Sequence, residues 1–157
     1  MDEVDLTLNE FLCFAIYTAE HAFTRLYKPL LDRLGLTYPQ YLVIVALWEE
    51  DGASVGRIGE KLFLESNTVT PLLKRLETAG FVRRSRNPAD ERQVRIQLTD
   101  RGWALRKEVA DVPGCVIQAT GRDLPDLKRL RDEICALRDA IAAFNISTAG
   151  RRTETAS

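Results

Sequence analysis

Ser66-Asn67-Thr68-Val69-Thr70-Pro71-Leu72-Leu73-Lys74-Arg75-Leu76-Glu77-Thr78-Ala79-Gly80 is the stretch on which the fold turns. Val69, Leu72, Leu73 and Leu76 recur at the spacing of one helix face. Ser66 reads as the cap of a helix from Asn67 to about Ala79, closed by Gly80. The other face carries Asn67, Thr68, Thr70, Lys74 and Arg75, short polar groups first and cations later. Upstream, Ser54 caps a helix over Val55 to Leu62, and Phe63-Leu64-Glu65 makes a short turn between the two. Downstream, Phe81–Arg86 and Gln93–Leu98 alternate in part and are joined by Asn87-Pro88-Ala89-Asp90-Glu91-Arg92, which has turn chemistry. Two short helices followed by a basic hairpin make a winged helix-turn-helix.

The flanks are helical. Leu8 to about Arg25 has apolar residues at helical spacing, with Thr7 or Asn9 as cap. Pro29 is expected to break or kink that pattern, leaving Tyr27–Leu34 as a second short segment ended by Gly35. Thr37-Tyr38-Pro39-Gln40 has the cap, early proline and glutamine of a capping box, and opens a helix through Trp48 that is apolar almost all round and so buried. Thr99 caps a long helix from Asp100 that stalls at Val112-Pro113-Gly114. Asp123–Phe144 is a last amphipathic helix, and Asn145–Ser157 reads as a polar, disordered tail. The fold class is therefore mainly α (α+β). Residues 36–99 form the winged helix-turn-helix lobe, residues 1–35 and 100–145 a helical dimerisation platform, and 146–157 a flexible tail.

Charge supports this division. The 157 residues carry a formal charge of −1, which by itself disfavours nucleic acid. Its distribution does not. Residues 1–70 hold five Lys/Arg against eleven Asp/Glu, residues 71–107 ten against four, and residues 108–157 seven against eight. One local basic patch on an acidic body is the footprint of a DNA binder. A recognition helix puts its N-terminal residues on base edges in the major groove, which makes Ser66, Asn67, Thr68 and Thr70 candidate contacts. Lys74 and Arg75 can reach phosphates. Arg84, Arg86 and Arg92 lie near the hairpin tip, and Asp90 can orient Arg92. A two-fold homodimer would set two such helices about 34 Å apart, on an inverted repeat of double-stranded DNA.

No apolar run approaches the roughly 18 residues of a membrane span. The acidic start is unlike a secretory signal, so a cytoplasmic protein is expected, with no membrane partner. Three cysteines, Cys13, Cys115 and Cys135, and one histidine, His21, make neither a disulfide framework nor a metal site. No cofactor is expected.

The chain resembles the MarR family of winged-helix regulators. The resemblance rests on Leu72-Leu73-Lys74-Arg75-Leu76-Glu77-Thr78-Ala79-Gly80-Phe81-Val82, Asp90-Glu91-Arg92 and Leu98-Thr99-Asp100-Arg101-Gly102. Two further stretches, LCFAIY from Leu12 and LYKPLLDRLGLTYPQYLVIVALWE from Leu26, look like the OhrR branch, whose members repress until an organic hydroperoxide oxidises a cysteine in the first helix. The resemblance implies that Cys13 is the peroxidatic thiol, contacted by Tyr27 and Tyr38, with Tyr17 one helical turn away. It also implies that Cys115 falls near the resolving cysteine of two-cysteine members, where that thiol comes from the other subunit. Such a thiol reacts as the thiolate, which a helix N-terminus and hydroxyl donors favour. An apolar surround of Phe11, Leu12, Phe14 and Ile16 would favour an organic peroxide. The sulfenic acid formed then condenses with a second thiol.

Two other readings compete. Free cysteines are commonly small core residues; an inert Cys13 would leave a repressor answering to a phenolic or aromatic ligand. A thiol peroxidase would need a cation beside the thiol, and Arg25 is the nearest arginine in sequence. It would also have no use for a basic hairpin, so the protein is not expected to be an enzyme.

Overall fold

The computed structural model describes residues 7–154. The chain opens on a 3-10 turn, Leu8–Glu10, where the Glu10 carboxylate accepts from the Thr7 backbone N–H at 2.7 Å and from the Thr7 hydroxyl at 2.8 Å. Helix α1 then runs unbroken over Leu12–Asp32. The break expected at Pro29 does not occur. Proline removes one N–H and crowds the carbonyl a turn earlier, but α1 carries it inside the helix, where the penalty is about 3 kcal/mol. Packing of the last turn outweighs that cost: Leu31 is buried, and Gly35, at φ +69°, makes the exit turn that a side chain would oppose.

Helix α2, Tyr38–Glu49, starts as the sequence predicts, with Thr37 Oγ1 accepting from the Gln40 N–H and the Gln40 side chain returning to the Thr37 N–H. Val43, Ile44 and Leu47 are fully buried, so α2 is the central helix of the lobe. After a short strand β1, Ala53–Ser54, helix α3 spans Val55–Leu62 and helix α4 spans Ser66–Thr78. Ser54 caps α3 as predicted, accepting from the Arg57 N–H at 3.1 Å. Ser66 does not cap α4. Glu65 is the N-cap residue and gives no side-chain bond, while Ser66 is already helical and its carbonyl accepts from the Thr70 hydroxyl at 2.8 Å. The turn between α3 and α4 is tight: a Cβ on Gly59 would sit 2.6 Å from the Leu64 carbonyl oxygen. Val69, Leu73 and Leu76 of α4 join Ile58 of α3 in the core.

Strands β2, Val82–Asn87, and β3, Asp90–Leu98, pair antiparallel with a register shift at Arg86/Asn87, and β1 adds to the far edge of β3 for an order β1-β3-β2. The hairpin loop is therefore shorter than the predicted Asn87–Arg92, because Asn87 and Asp90 already pair and Pro88-Ala89 alone make the turn. Strand β1 was not foreseen. At two residues it is too short to show alternation, and its pairing with Arg95 and Ile96 depends on the fold.

Helix α5, Asp100–Glu108, is capped by Thr99, whose hydroxyl accepts from the Gly102 N–H at 3.2 Å. Val112-Pro113-Gly114 does not stall the chain but begins a helix, α6, Val112–Thr120. A proline in the first helical turn lacks only an N–H that has no intrahelical acceptor. Gly121, at φ +66°, turns the chain toward α7, Leu124–Glu154. This helix passes the predicted end at Phe144 and takes in most of the supposed flexible tail 146–157. Residues 145–154 contain no proline, and Gly150 alone costs about 1 kcal/mol, too little to end a helix. Residues 155–157 lie outside the described residues. By contacts the chain divides between Val112 and Pro113 into two units. The predicted division at 35/36 and 99/100 is one of role, and stays a proposal.

Candidate functional site

The polar face of α4 is open. Ser66, Asn67, Thr68, Thr70, Lys74 and Arg75 are all exposed, while Val69, Leu73 and Leu76 hold the other side in the core. Lys74 and Arg75 line a shallow depression with Pro71, Thr78 and Ala79, and neither cation has an ion-pair partner among the described residues. The cations of α3 are spent otherwise. Arg57 bonds Glu50 at 3.0 Å and Glu60 at 3.3 Å, and Lys61 bonds Glu49 at 2.8 Å. The unpaired positive charge of the helix-turn-helix is thus left on α4, where a phosphate backbone would meet it.

The hairpin continues that surface. Arg83, Arg84, Arg86 and Arg92 are exposed on β2 and β3. Arg84 has a structural duty as well: its N–H donates to Glu77 Oε2 of α4 at 3.2 Å, and its guanidinium lies 3.8 Å from the same oxygen. Asp90 does not hold the Arg92 guanidinium as expected. Its Oδ1 accepts from the Arg92 backbone N–H at 3.0 Å, because two residues is the natural reach of an Asx turn.

The hairpin base is locked to the end of α4. Thr99 Oγ1 donates to the Gly80 carbonyl at 2.6 Å, and the Thr99 N–H to the Phe81 carbonyl at 3.1 Å. The Arg101 guanidinium donates to the Ala79 carbonyl at 2.5 Å and lies 4.4 Å above the Phe81 ring. A cation at the carbonyl end of α4 also suits the helix dipole. Recognition helix and hairpin are thereby held as one rigid presentation.

The thiol lies elsewhere. Cys13 is the second residue of α1, exposed, in a first turn that no side chain caps and no acidic residue enters. Tyr17, one turn on, packs edge-on against His21 at 4.2 Å. The apolar surround expected for Cys13 is not closed within one chain. Phe11, Leu12 and Ile16 are exposed and Phe14 is half-buried, because Leu31 is the one buried residue of α1. Tyr27 and Tyr38 are together, with ring centroids 4.4 Å apart, but not at Cys13. Cys13 and Tyr27 are fourteen helical steps apart, about 21 Å along α1. Beside the tyrosine pair lies a cleft of about 310 Å³ lined by Glu20, Thr24, Lys28, Leu31, Asp32, Leu36, Thr37, Tyr38 and Pro39. Cys115, on α6, and Cys135, on α7, are half-buried free thiols.

Burial decides the state of the phenols. It pushes Tyr27 up to about 12, helped by the neighbouring Tyr38 and Tyr41, and raises Tyr38 and Tyr41 as well. Near neutral pH all three are therefore O–H donors. A raised phenol carries a stability term that is whole below the unfolded value near 10. Above it the unfolded chain releases a proton that the fold retains, so stability is lost as pH climbs from about 10 to 12. Urea midpoints measured across that window should fall in the wild type and fall less steeply in Tyr27→Phe.

Comparisons with known proteins agree with this fold. The family model for the transcriptional regulator SarA/Rot matches residues 25–109. The chain is 51% identical over 142 residues to the HTH-type transcriptional regulator TtmR of Methylorubrum extorquens (strain PA1), covering 90% of this chain and 73% of that one. It is 40% identical over 140 residues to the organic hydroperoxide resistance transcriptional regulator of Bacillus subtilis (strain 168), covering 89% and 95%. This chain belongs to the MarR family of winged-helix transcriptional regulators. Among solved structures, reduced AbfR bound to DNA superposes with a TM-score of 0.76 at 36% identity, over 90% of this chain and 99% of that one. A disulfide-formed AbfR superposes at 0.61 and 37% identity, over 82% and 92%; a crystal structure of AbfR comes from Staphylococcus epidermidis.

For a MarR-family regulator, the sequence placed the exposed polar face of α4 and the basic hairpin where the structure has them. It missed the residues that fasten them, Gly102 and Trp48 above all. Trp48 Nε1 donates to the Gly102 carbonyl at 3.1 Å across 54 positions, and no local pattern signals a bond of that range. No helix among the described residues is long and apolar enough to cross a membrane.

Proposed function

We propose that the protein is a homodimeric DNA-binding repressor that reads organic hydroperoxides through Cys13 and releases an inverted-repeat operator when that thiol is oxidised. The observation that carries the reading is an exposed thiol in the first turn of α1, in a chain that matches nearly the whole of an organic hydroperoxide resistance regulator.

Unpartnered apolar surface supports a dimer. Leu12, Ile16 and Phe23 of α1, and Leu124, Leu130, Ile134, Ile141, Phe144 and Ile146 of α7, are all exposed in the single chain. Large apolar patches of this kind mark interfaces. A two-fold partner also resolves the separation within α1. The Tyr27–Tyr38 pair, about 21 Å from its own Cys13, is free to donate hydrogen bonds to the thiolate of the other subunit. The same partner would close the apolar surround that Phe11, Leu12, Phe14 and Ile16 begin.

The chemistry is then a balanced exchange. The Cys13 thiolate attacks the terminal peroxide oxygen; the O–O bond breaks, the alcohol leaves with a proton, and sulfur becomes a sulfenic acid. Cys115 of the partner subunit supplies a thiol that condenses with it, forming a disulfide and releasing water. A reducing thiol reverses the disulfide and restores repression. In the reduced dimer Ser66, Asn67, Thr68 and Thr70 face base edges, Lys74 and Arg75 face phosphates, and the hairpin arginines Arg84, Arg86 and Arg92 reach the adjacent groove.

The direct test is binding of the reduced protein to a duplex carrying the inverted repeat from its own promoter region. It is repeated after one equivalent of cumene hydroperoxide and again after dithiothreitol. Loss and recovery of binding, with a dithiothreitol-sensitive dimer band on a non-reducing gel, is the expected result. Binding indifferent to peroxide would sink the redox reading. The cleft beside Tyr38 would then be the place to look for a phenolic or aromatic ligand as the signal.

A further inference from the structure

Aromatic rings make a row that starts at the tyrosine pair and ends at the base of the wing. Tyr27 and Tyr38 lie 4.4 Å apart, Tyr27 and Tyr41 6.2 Å, and Tyr41 and Trp48 6.4 Å. Tyr41 and Trp48 are two turns apart on α2, hence on one face. The row closes on a directional contact, the 3.1 Å hydrogen bond from Trp48 Nε1 to the Gly102 carbonyl. Gly102 has almost no freedom of its own: a Cβ there would lie 2.3 Å from the Phe81 oxygen and 2.8 Å from Leu98 Cδ2, so α5 is seated directly on the base of the hairpin, where β2 begins and β3 ends. Thr99 ties the same corner to Gly80, next to the end of α4. Between the two ends lies α2, whose Val43, Ile44 and Leu47 are fully buried. A helix packed in this way shifts as a unit rather than bending locally.

We propose that Trp48 is a positioning residue that couples the Tyr27–Tyr38 pair to the wing, its indole N–H setting where α5 and the hairpin base sit against α2. The inference rests on the redox reading above: displacement of the tyrosines on oxidation of the thiol they serve is carried along the row to Gly102. The Gly102 carbonyl also belongs to the α5 ladder, so losing the indole donor does not leave it unsatisfied. Trp48→Phe therefore keeps a ring in the row and removes only the directed bond.

Two measurements test this, with cumene hydroperoxide as oxidant and the promoter duplex as ligand. Trp48→Phe should bind the duplex within about threefold of wild type when reduced, yet lose at least about tenfold of the peroxide-induced change in Kd, a coupling loss of ordinary allosteric size. In Trp103→Phe, where Trp48 is the remaining tryptophan, its emission should shift on oxidation in step with DNA release. Trp48→Phe releasing DNA as wild type does, or emission that stays fixed while DNA is lost, overturns the inference and leaves the redox reading standing. Wild type holding its duplex after oxidation removes both. The fluorescence arm decides the matter if Trp48→Phe does not fold.

Discussion

Cys13→Ser is expected to bind operator DNA as the reduced wild type does and to ignore hydroperoxide. Serine has nearly the shape of cysteine, and the site is exposed in the single chain, so the cost to stability should stay within about 0.5 kcal/mol. No residue of the α4 face or the hairpin changes. Reduced-state affinity should therefore shift by less than about threefold. The response to oxidation should vanish, because a hydroxyl has no accessible sulfenate chemistry. Where wild type weakens by ~100-fold on oxidation, the upper part of the usual coupling range, the variant should weaken by less than about twofold. Fluorescence anisotropy with a labelled duplex, before and after cumene hydroperoxide, measures both numbers. A Cys13→Ser protein that still releases DNA would move the sensor to Cys115 or Cys135. Cys115→Ser separates the steps: it should still respond to peroxide through the sulfenic acid but form no disulfide-linked dimer.

The second large effect is structural. Gly102→Ala adds one methyl where the Phe81 carbonyl oxygen is 2.3 Å and Leu98 Cδ2 2.8 Å from the new carbon. The oxygen is backbone, already bonded to the Thr99 N–H at 3.1 Å, so it cannot swing aside as a side-chain end would. Either α5 lifts from the hairpin base or the start of β2 moves away from α5. Overpacking of this kind costs about 1–3 kcal/mol and more when backbone must shift, and a loss on the order of 3 kcal/mol is expected. Because Gly102 gives its N–H to Thr99, which ties the hairpin base to the end of α4, operator affinity should fall with stability. Gly56→Ala is the matched control. Gly56 lies in α3 with nothing within 4 Å of a new Cβ, so the change should stabilise by roughly 0.5–1 kcal/mol through helix propensity. Urea unfolding of the two variants reads both signs, and equal midpoints would refute the account of this corner.

Much of the lobe was legible in advance because its signals are local. Thr37 with Gln40, Ser54 and Thr99 each sit a fixed number of residues from the N–H groups they cap, so their roles follow from spacing alone. The apolar period of α4 placed Val69, Leu73 and Leu76 inside, which necessarily put Asn67, Thr68, Lys74 and Arg75 outside. The errors came where a local rule met a tertiary gain. Pro29 should break a helix, yet α1 runs through it to Asp32, its buried Leu31 in the last turn. Ser66 has the chemistry of a cap, yet α4 begins one residue earlier and leaves Glu65 in that position.

The sequence by itself determined that this chain builds a winged helix-turn-helix, and which faces of α4 and the hairpin carry charge. Those are properties of periodicity and composition, which short-range sterics and the burial of apolar side chains convert directly into structure. Through its resemblance it also singled out Cys13, Tyr17, Tyr27 and Tyr38. Only the tertiary structure decided how they are arranged. It holds Tyr27 against Tyr38 at 4.4 Å while the length of α1 keeps both from the thiol of the same chain. It alone decided that the aromatic row ends on Gly102, because a hydrogen bond spanning 54 residues forms only where packed helices bring its two ends together. Long-range contacts of that kind leave no period or spacing in the chain. They follow from how α2, α5 and the hairpin pack together around the buried core.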